Sequence, residues 1–464
     1  MFSKEIYVQR RTELKRKVGH GLIILFGNND SPNNYTSNPY RFRQDSCFLY
    51  YFGLKREGLV GVIDIDNNQD YIYGNDINID DIIWYGYVPS VNELAREVGV
   101  ATTAPTKALK TMIDAAKAKG QTIHILPPYR HDLMIQLAEM MDDNPLQLGR
   151  YVSVPLIKAI VDMRSVKQPE EIVELKKAAE IGYKMHTTAQ KLCAPGVTEK
   201  YIAGVIEGIA MSLGDNYSFQ SIVTTHGEIL HSSLHNTPME AGRLMVCDAG
   251  AESHENYCSD HTRVTPVSGK FTSQQRDIYT AVEAAHDWVI ANAQPEVKWL
   301  DIHLGACRIL TDHLKAIGLM KGDTEEAVHA GAHALFMPHG IGHMMGLDVH
   351  DMEGLGQDFV GFDDEVRPSS QFGLNSLRCG RRIKKGYVMT DEPGIYFIPH
   401  LIDLWRSKDM HKDFINYEAI EPFLDFGGIR LEDDILITET GCHIIGDDII
   451  PYHIDDVEEF IRKD

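Results

Sequence analysis

The sequence predicts two domains of different class, an α/β N-terminal domain with a mixed sheet over residues 1–165 and a larger α+β domain over 166–464. Three observations carry this reading. A chain of 464 residues exceeds what a single hydrophobic core usually holds. Short helix and strand patterns alternate early, whereas later long helical patterns are grouped apart from strand-like runs. Between the two parts, Val161-Asp-Met-Arg164-Ser-Val-Lys-Gln-Pro169-Glu-Glu reads as a junction that opens a helix, with Pro169 at its first position and two glutamates complementing the macrodipole.

Residues 4–18 are basic and apolar and predict a helix, and Gly21–Phe26 a short buried strand. A polar loop, 28–43, follows. Strands are expected at Cys47–Phe52, Leu59–Ile65 and Tyr71–Tyr73, and from Lys107 to Asp142 a helix, a strand (122–126) and a helix. The helix opened by Pro169 has an apolar face of Ile172, Val173, Leu175, Ala179 and Met185, and ends before Pro195-Gly196. A second helix starts after Thr198, its N-cap, and stops near Gly214. Ser221–Val267 is strand-like, 274–293 and 300–317 are helical, and the remainder to about Ile449 alternates strands and loops.

Composition narrows the partners. Hydrophobic content of 43% and charged content of 24% describe an ordinary globular protein. A net charge of -22 excludes nucleic acid and anionic membranes as general partners, because both demand basic patches. Seven cysteines with no Cys-x-x-Cys fit neither a disulfide framework nor a thiolate cluster. No apolar run nears the roughly 20 residues that cross a bilayer. The charged N-terminus lacks the apolar core of a signal peptide, so a cytoplasmic location is expected.

The chemistry gathers late in the chain. Met337-Pro-His339-Gly-Ile-Gly-His343-Met-Met-Gly-Leu-Asp-Val-His350 carries three imidazoles among three glycines. Each glycine disfavours a regular helix by roughly 1 kcal/mol, so an irregular segment turning imidazoles into one pocket is expected. Asp248 and Asp260 precede it; Glu392 and Glu432 follow. Two Asp, one His and two Glu form an oxygen-rich set suited to a pair of divalent cations of the manganese type. Asp260 lies 12 positions after Asp248 (260 minus 248), a spacing that a hairpin brings to one face. Singly, each Asp equally suits a turn or a cap.

Six segments in order resemble the pita-bread metallopeptidases, in particular aminopeptidase P and prolidase. They are Asp-Ala-Gly at 248, Asp-x-Thr-Arg at 260, His-Gly-x-Gly-His at 339, Gly-Leu-Asp-Val-His-Asp at 346, Glu-Pro-Gly-x-Tyr at 392 and Gly-x-Arg-x-Glu-Asp-Asp at 428. The resemblance implies a pita-bread fold for the second domain and two metal ions, most often Mn2+. Asp248 would hold one, Asp260 and Glu432 would bridge both, and His343 and Glu392 would hold the second. It further implies hydrolysis of an N-terminal Xaa-Pro bond by a hydroxide bridging the metals, with Glu392 shuttling the proton. His231, His339 and His350 would stand beside the substrate, and Arg430 would orient or neutralise the bridging carboxylate; read without the family, His231 and Arg430 are ordinary hydrogen-bonded residues. His231 lies 17 positions before Asp248 (248 minus 231), as the family requires, and His235 fits less well. Tyr396 is a candidate wall for the proline ring. The implied substrate is a peptide with proline second, and the implied assembly a homodimer or homotetramer. A Trp at the place of Trp84 lies near a neighbouring subunit's active site in the family; by its residue type alone, Trp84 equally suits its own core.

The sequence departs from the family pattern in two places. The segment 252–258 is one residue longer than the family pattern, which a longer turn or a bulge absorbs. Asp391 stands where the family has an aliphatic residue, either sharpening the site's affinity for cations or facing solvent. Competing readings are prolidase, methionine aminopeptidase (which lacks the N-terminal domain), a metal-free creatinase-like hydrolase, and a pita-bread binding module that has lost its ligands.

Overall fold

The computed structural model describes residues 1–462 except Ser233 and His235, so the His235 alternative lies outside the described residues. It divides into two compact units, Met1–Met163 and Arg164–Asp464.

In the first unit, α1 (Lys4–Val18) leads into β1 (Leu22–Phe26), then α2 (Ser46–Phe52), β2 (Val60–Asp64) and β3 (Gln69–Tyr73). α3 (Ile79–Tyr85), α4 (Val91–Glu97), β4 (Thr102–Ala104), α5 (Leu109–Ala118), β5 (Ile123–His124), α6 (His131–Met141) and α7 (Val154–Ser165) complete it, the division falling in the last turn of α7. The sheet order is β4-β3-β2-β1-β5, with β1–β5 and β3–β4 parallel and the other pairs antiparallel, so the sheet is mixed. Its core sets Leu22, Ile24 and Val62 against Ile113, Leu137 and Met141. The arginines of α1 turn inward: Arg10 and Arg11 donate to the Tyr50 and Tyr51 carbonyls, which end α2. Those carbonyls have no helical partner, and the guanidiniums satisfy them.

The expected strand at Cys47–Phe52 is the helix α2 instead. Asp45 caps it by accepting from the Phe48 amide at 2.8 Å, and Gly53 closes it at φ 65°. Every residue of the helix is buried, so the run carries no amphipathic period and reads as a strand by length alone. Trp84 does not sit in its own core either. It is 80% exposed on α3, next to exposed Ile83, Tyr85 and Tyr87.

The second unit pairs long helices with small sheets. α8 (Pro169–Leu192) and α9 (Glu199–Leu213) start as expected, with Thr198 accepting from the Tyr201 amide. Met185, Ala189, Ile202 and Ile206 of these helices pack on Val223, Met245 and Cys247 of a sheet ordered β6 (Ile222–Thr224), β7 (Leu244–Ala249), β8 (His261–Pro266). α10 (Ser273–Asn292), α11 (Trp299–Ala316) and α12 (Thr324–Ala330) follow. Then come β9 (Val388–Asp391), β10 (Gly394–Tyr396), β11 (Gly428–Arg430), β12 (Asp433–Ile437) and β13 (Cys442–Ile444). They form a β13-β12-β9 sheet and a β10-β11 pair, all antiparallel. Among the described residues, no helix is long and apolar enough to cross a membrane.

The extra residue at 252–258 is absorbed by the turn. Asn256 donates its amide to the Ser253 carbonyl at φ 62°, and Ser253 donates to Tyr257. Asparagine tolerates this left-handed geometry, so the β7/β8 register continues and pairs Asp248 with Thr262.

Candidate metal and active site

The irregular segment 337–350 lies against β9. The His343 carbonyl accepts from the Thr390 amide at 2.9 Å, its own amide donates to Thr390 Oγ1 at 3.0 Å, and Gly342 is packed on the same residue. A Cβ on Gly342 would stand 1.9 Å from the Thr390 carbonyl oxygen, so only glycine allows this approach. His343 Nδ1 lies 3.1 Å from the Met344 carbonyl, which leaves Nε2 for a ligand.

Four elements converge on that nitrogen. Asp248 is the penultimate residue of β7, Asp260 precedes β8, Glu392 links β9 to β10, and Glu432 links β11 to β12 beside Thr262. Asp260, His343 and Glu432 each bring one ligand atom within 4.8 Å of the others. Asp260 Oδ2 lies 3.6 Å and Glu392 Oε1 3.7 Å from His343 Nε2. Asp248 is drawn slightly away, accepting from Arg430 Nη2 at 2.5 Å.

Arg430 pairs most closely with Asp248 and more distantly with Glu432. Its Nε reaches Thr262 Oγ1 at 3.1 Å but stays 4.0 Å from Glu432, whose Oε2 accepts from Thr262 at 2.7 Å. Tyr396 is no wall of the pocket. It is fully buried, accepts from Arg430 Nη1 at 2.8 Å and stands 2.9 Å from His339 Nε2, because β10/β11 pairing places it behind the site. His339 Nδ1 faces the Gly340 carbonyl at 2.8 Å, so both nitrogens of this imidazole are engaged within the chain.

Burial pushes the carboxyls of Asp260 and Glu432 well above their usual range, with neighbouring carboxylates adding to it, and raises Glu392 to about 7. Burial also lowers His231, His343 and His350, and takes His339 to about 4. The imidazoles are thus neutral donors, and crowded carboxylates lack cationic relief beyond Arg430. One oxygen each of Asp248 and Asp260 is buried without a hydrogen-bond partner. Such orphaned oxygens beside a neutral imidazole are what divalent cations satisfy, so the residues fit a pair of them.

A cavity of about 730 Å3 opens over this set, lined also by His231, His339, His350, Arg378 and apolar Phe219, Leu230 and Val349. His350 Nδ1 faces Glu353 Oε2 at 2.6 Å, and Glu353 also pairs with Arg378. The bond to His350, aided by the arginine, holds the Glu353 carboxyl down to about 2, so it stays an acceptor and fixes the imidazole. Sequence reading missed Glu353, Arg378, Thr262 and Thr390. Glu353, three residues after His350, and Thr262, within the Asp-x-Thr-Arg segment, had local signals.

Asp391 does not meet solvent, which corrects that alternative. It is buried on the opposite face of β9 from Glu392, 3.8 Å from His286 of α10. Burial opposes the His286 imidazolium, but Asp391, Asp287 and Asp433 outweigh it and raise the group to about 10. A raised folded-state value means stability that is full below pH 6.5 and lost as pH rises through 10. Urea unfolding across that window should show a steeper alkaline loss for the parent than for His286→Gln; equal slopes would discount this pair.

The model of metallopeptidase family M24 matches residues 173–439, and that of the aminopeptidase P N-terminal domain matches 7–125. A human Xaa-Pro dipeptidase is 28% identical, the match covering 94% of this chain and 88% of that protein. A probable Xaa-Pro aminopeptidase of Metarhizium acridum is 29% identical over 91% and 87%. Zinc-substituted Escherichia coli aminopeptidase P in complex with product is 26% identical, covers both chains fully, and has a TM-score of 0.81. Proline aminopeptidase P II from Yersinia pestis gives 26% and 0.81 over 99% of each chain. With an aminopeptidase-P-type α/β unit ahead of a pita-bread unit, and the M24 match spanning more than half its length, the chain belongs to metallopeptidase family M24.

Proposed function

We propose that this protein is a metal-dependent aminopeptidase that removes the first residue from peptides carrying proline in second position. The observation that carries the reading is the cluster of Asp260, His343 and Glu432, flanked by Asp248 and Glu392, at the floor of a peptide-sized cavity. Asp260 and Glu432 would be shared between the two cations, Asp248 would hold one, and His343 and Glu392 would hold the other. Two divalent cations, with Mn2+ preferred for an oxygen-rich set, would supply an activated water and a Lewis acid. Glu392, beside the substrate space, would carry the proton to the leaving proline nitrogen. His350, fixed by Glu353, donates to the substrate carbonyl as charge develops, and His231 and His339 border the same space. Apolar Phe219, Leu230 and Val349 are the surfaces for the proline ring. Arg430 holds Asp248 in place through their ion pair.

The domain limits 1–165 and 166–464 follow the same reading. The exposed Ile83, Trp84, Tyr85 and Tyr87 support self-association as a homodimer or homotetramer. Buried free thiols at Cys247, Cys307 and Cys379 support a cytoplasmic location.

A dipeptidase is the second reading. Arg378 lines the cavity beside His350, where a guanidinium suits the free carboxylate of an Xaa-Pro dipeptide. The test is hydrolysis, with manganese supplied, of an Xaa-Pro dipeptide beside an Xaa-Pro-Xaa tripeptide. Cleavage of the tripeptide with little of the dipeptide is expected; cleavage confined to the dipeptide makes it a prolidase, and cleavage of neither, without bound metal, overturns both. His350→Ala is expected to keep its metal and lose about 10²–10³-fold in kcat, the loss typical of one transition-state donor. Metal analysis alongside steady-state kinetics checks this.

A further inference from the structure

Three softer donors meet elsewhere in the second unit. His303 and Cys307 are one turn apart on α11, which puts both on one face, with His303 Nε2 3.5 Å from Cys307 Sγ. His333, in the turn Ala332–Leu335 after α12, brings its ring centroid 6.2 Å from that of His303. One ligand atom from each residue lies within 4.8 Å of the others. Exposures are 0% for His303, 0% for Cys307 and 3% for His333.

Packing alone leaves this arrangement incomplete. A buried imidazole ordinarily satisfies both nitrogens, yet Nδ1 of His303 and Nδ1 of His333 have no hydrogen-bond partner. Burial holds both imidazoles neutral, His303 down to about 3 and His333 to about 4, the state in which they ligate. The donor set also differs in kind from the carboxylate site: two nitrogens and one sulfur suit zinc-class ions, not manganese.

We propose that His303, Cys307 and His333 form a separate structural site for one zinc-class divalent cation. On binding, the Cys307 S–H bond breaks, a sulfur–metal bond forms and the proton leaves to solvent. The His333 carbonyl accepts from the Phe336 and Met337 amides, so a cation there ties α11 to the start of the segment carrying His339. Because the donors are sealed from solvent, metal enters as the chain folds and resists removal from the folded protein.

The test is to produce the full chain in cobalt-supplemented medium, dialyse it against EDTA, and record metal content and absorption. About one cobalt per chain is expected to remain, with a thiolate-to-cobalt charge-transfer band that the carboxylate site, having no sulfur, does not produce. Asp260→Ala keeps the band; Cys307→Ser and His333→Gln lose band and retained metal together. X-ray absorption on the zinc-loaded, EDTA-dialysed parent should show one sulfur scatterer, a readout needing no variant. No retained metal, a shell of nitrogen and oxygen only, or a band that survives Cys307→Ser overturns the site. Loss of peptidase activity with the band intact would count against the proposed function and not against this site.

Discussion

Asp260→Ala and Glu432→Ala are each expected to abolish peptide hydrolysis and to bind less than the full complement of divalent metal. The reason lies in the apoprotein's electrostatics. Asp260 and Glu432 are buried, Glu392 is partly buried beside them, and each is pushed towards its neutral form. Bound cations reverse that preference and hold the carboxylates charged. In the proposed site either carboxylate would be shared between the cations, so its loss would separate them and forfeit the activation of water they would supply. A loss of ~10⁴-fold or more in kcat/KM follows, far beyond the loss expected for His350→Ala, where only one donor disappears. Metal content and activity measured on the same preparations decide it. Full metal occupancy and activity in either variant would remove that residue from the site.

Arg263→Ala should be the most destabilising single change behind the site, by about 3–5 kcal/mol, the range for stripping one partner from a buried ion pair. Arg263 Nη2 donates to both oxygens of Asp433 at 2.7 and 2.9 Å, and Nη1 to the Thr262 and Glu432 carbonyls at 3.0 and 2.8 Å. Burial disfavours a charged Asp433, yet Arg263 and His286 hold its carboxyl well below the usual range. Without the guanidinium, the buried Asp433 carboxylate loses its bidentate cationic partner and keeps only His286 at 3.1 Å. Urea unfolding near neutral pH checks this, and a loss below about 1 kcal/mol would show that the surrounding polar groups replace it.

Much of the architecture was legible because local physics agreed with the final fold. Pro169 with its two glutamates, and Thr198 as a cap, marked helix starts that depend on their own few residues. The α2 segment misled because a helix buried on every side has lost the periodicity that separates helix from strand, leaving only Asp45 and Gly53 as signals. The ligand candidates were legible as residue types, since carboxylates and imidazoles after apolar runs and glycines are conspicuous. Their partners were not: Thr262 reaches Glu432 across 170 positions, and Arg430 chooses Asp248 across 182.

By itself, the sequence determined a two-part chain, the starts and ends of its long helices, and the set of five residues suited to divalent cations. These depend on composition and near-neighbour spacing, which the chain carries wherever it folds. Tertiary structure alone decided that Arg430 serves Asp248, that Tyr396 stands behind the pocket, and that Asp391 turns inward to His286. Each is a choice among several chemically suitable partners far apart in sequence, and strand register and burial make that choice.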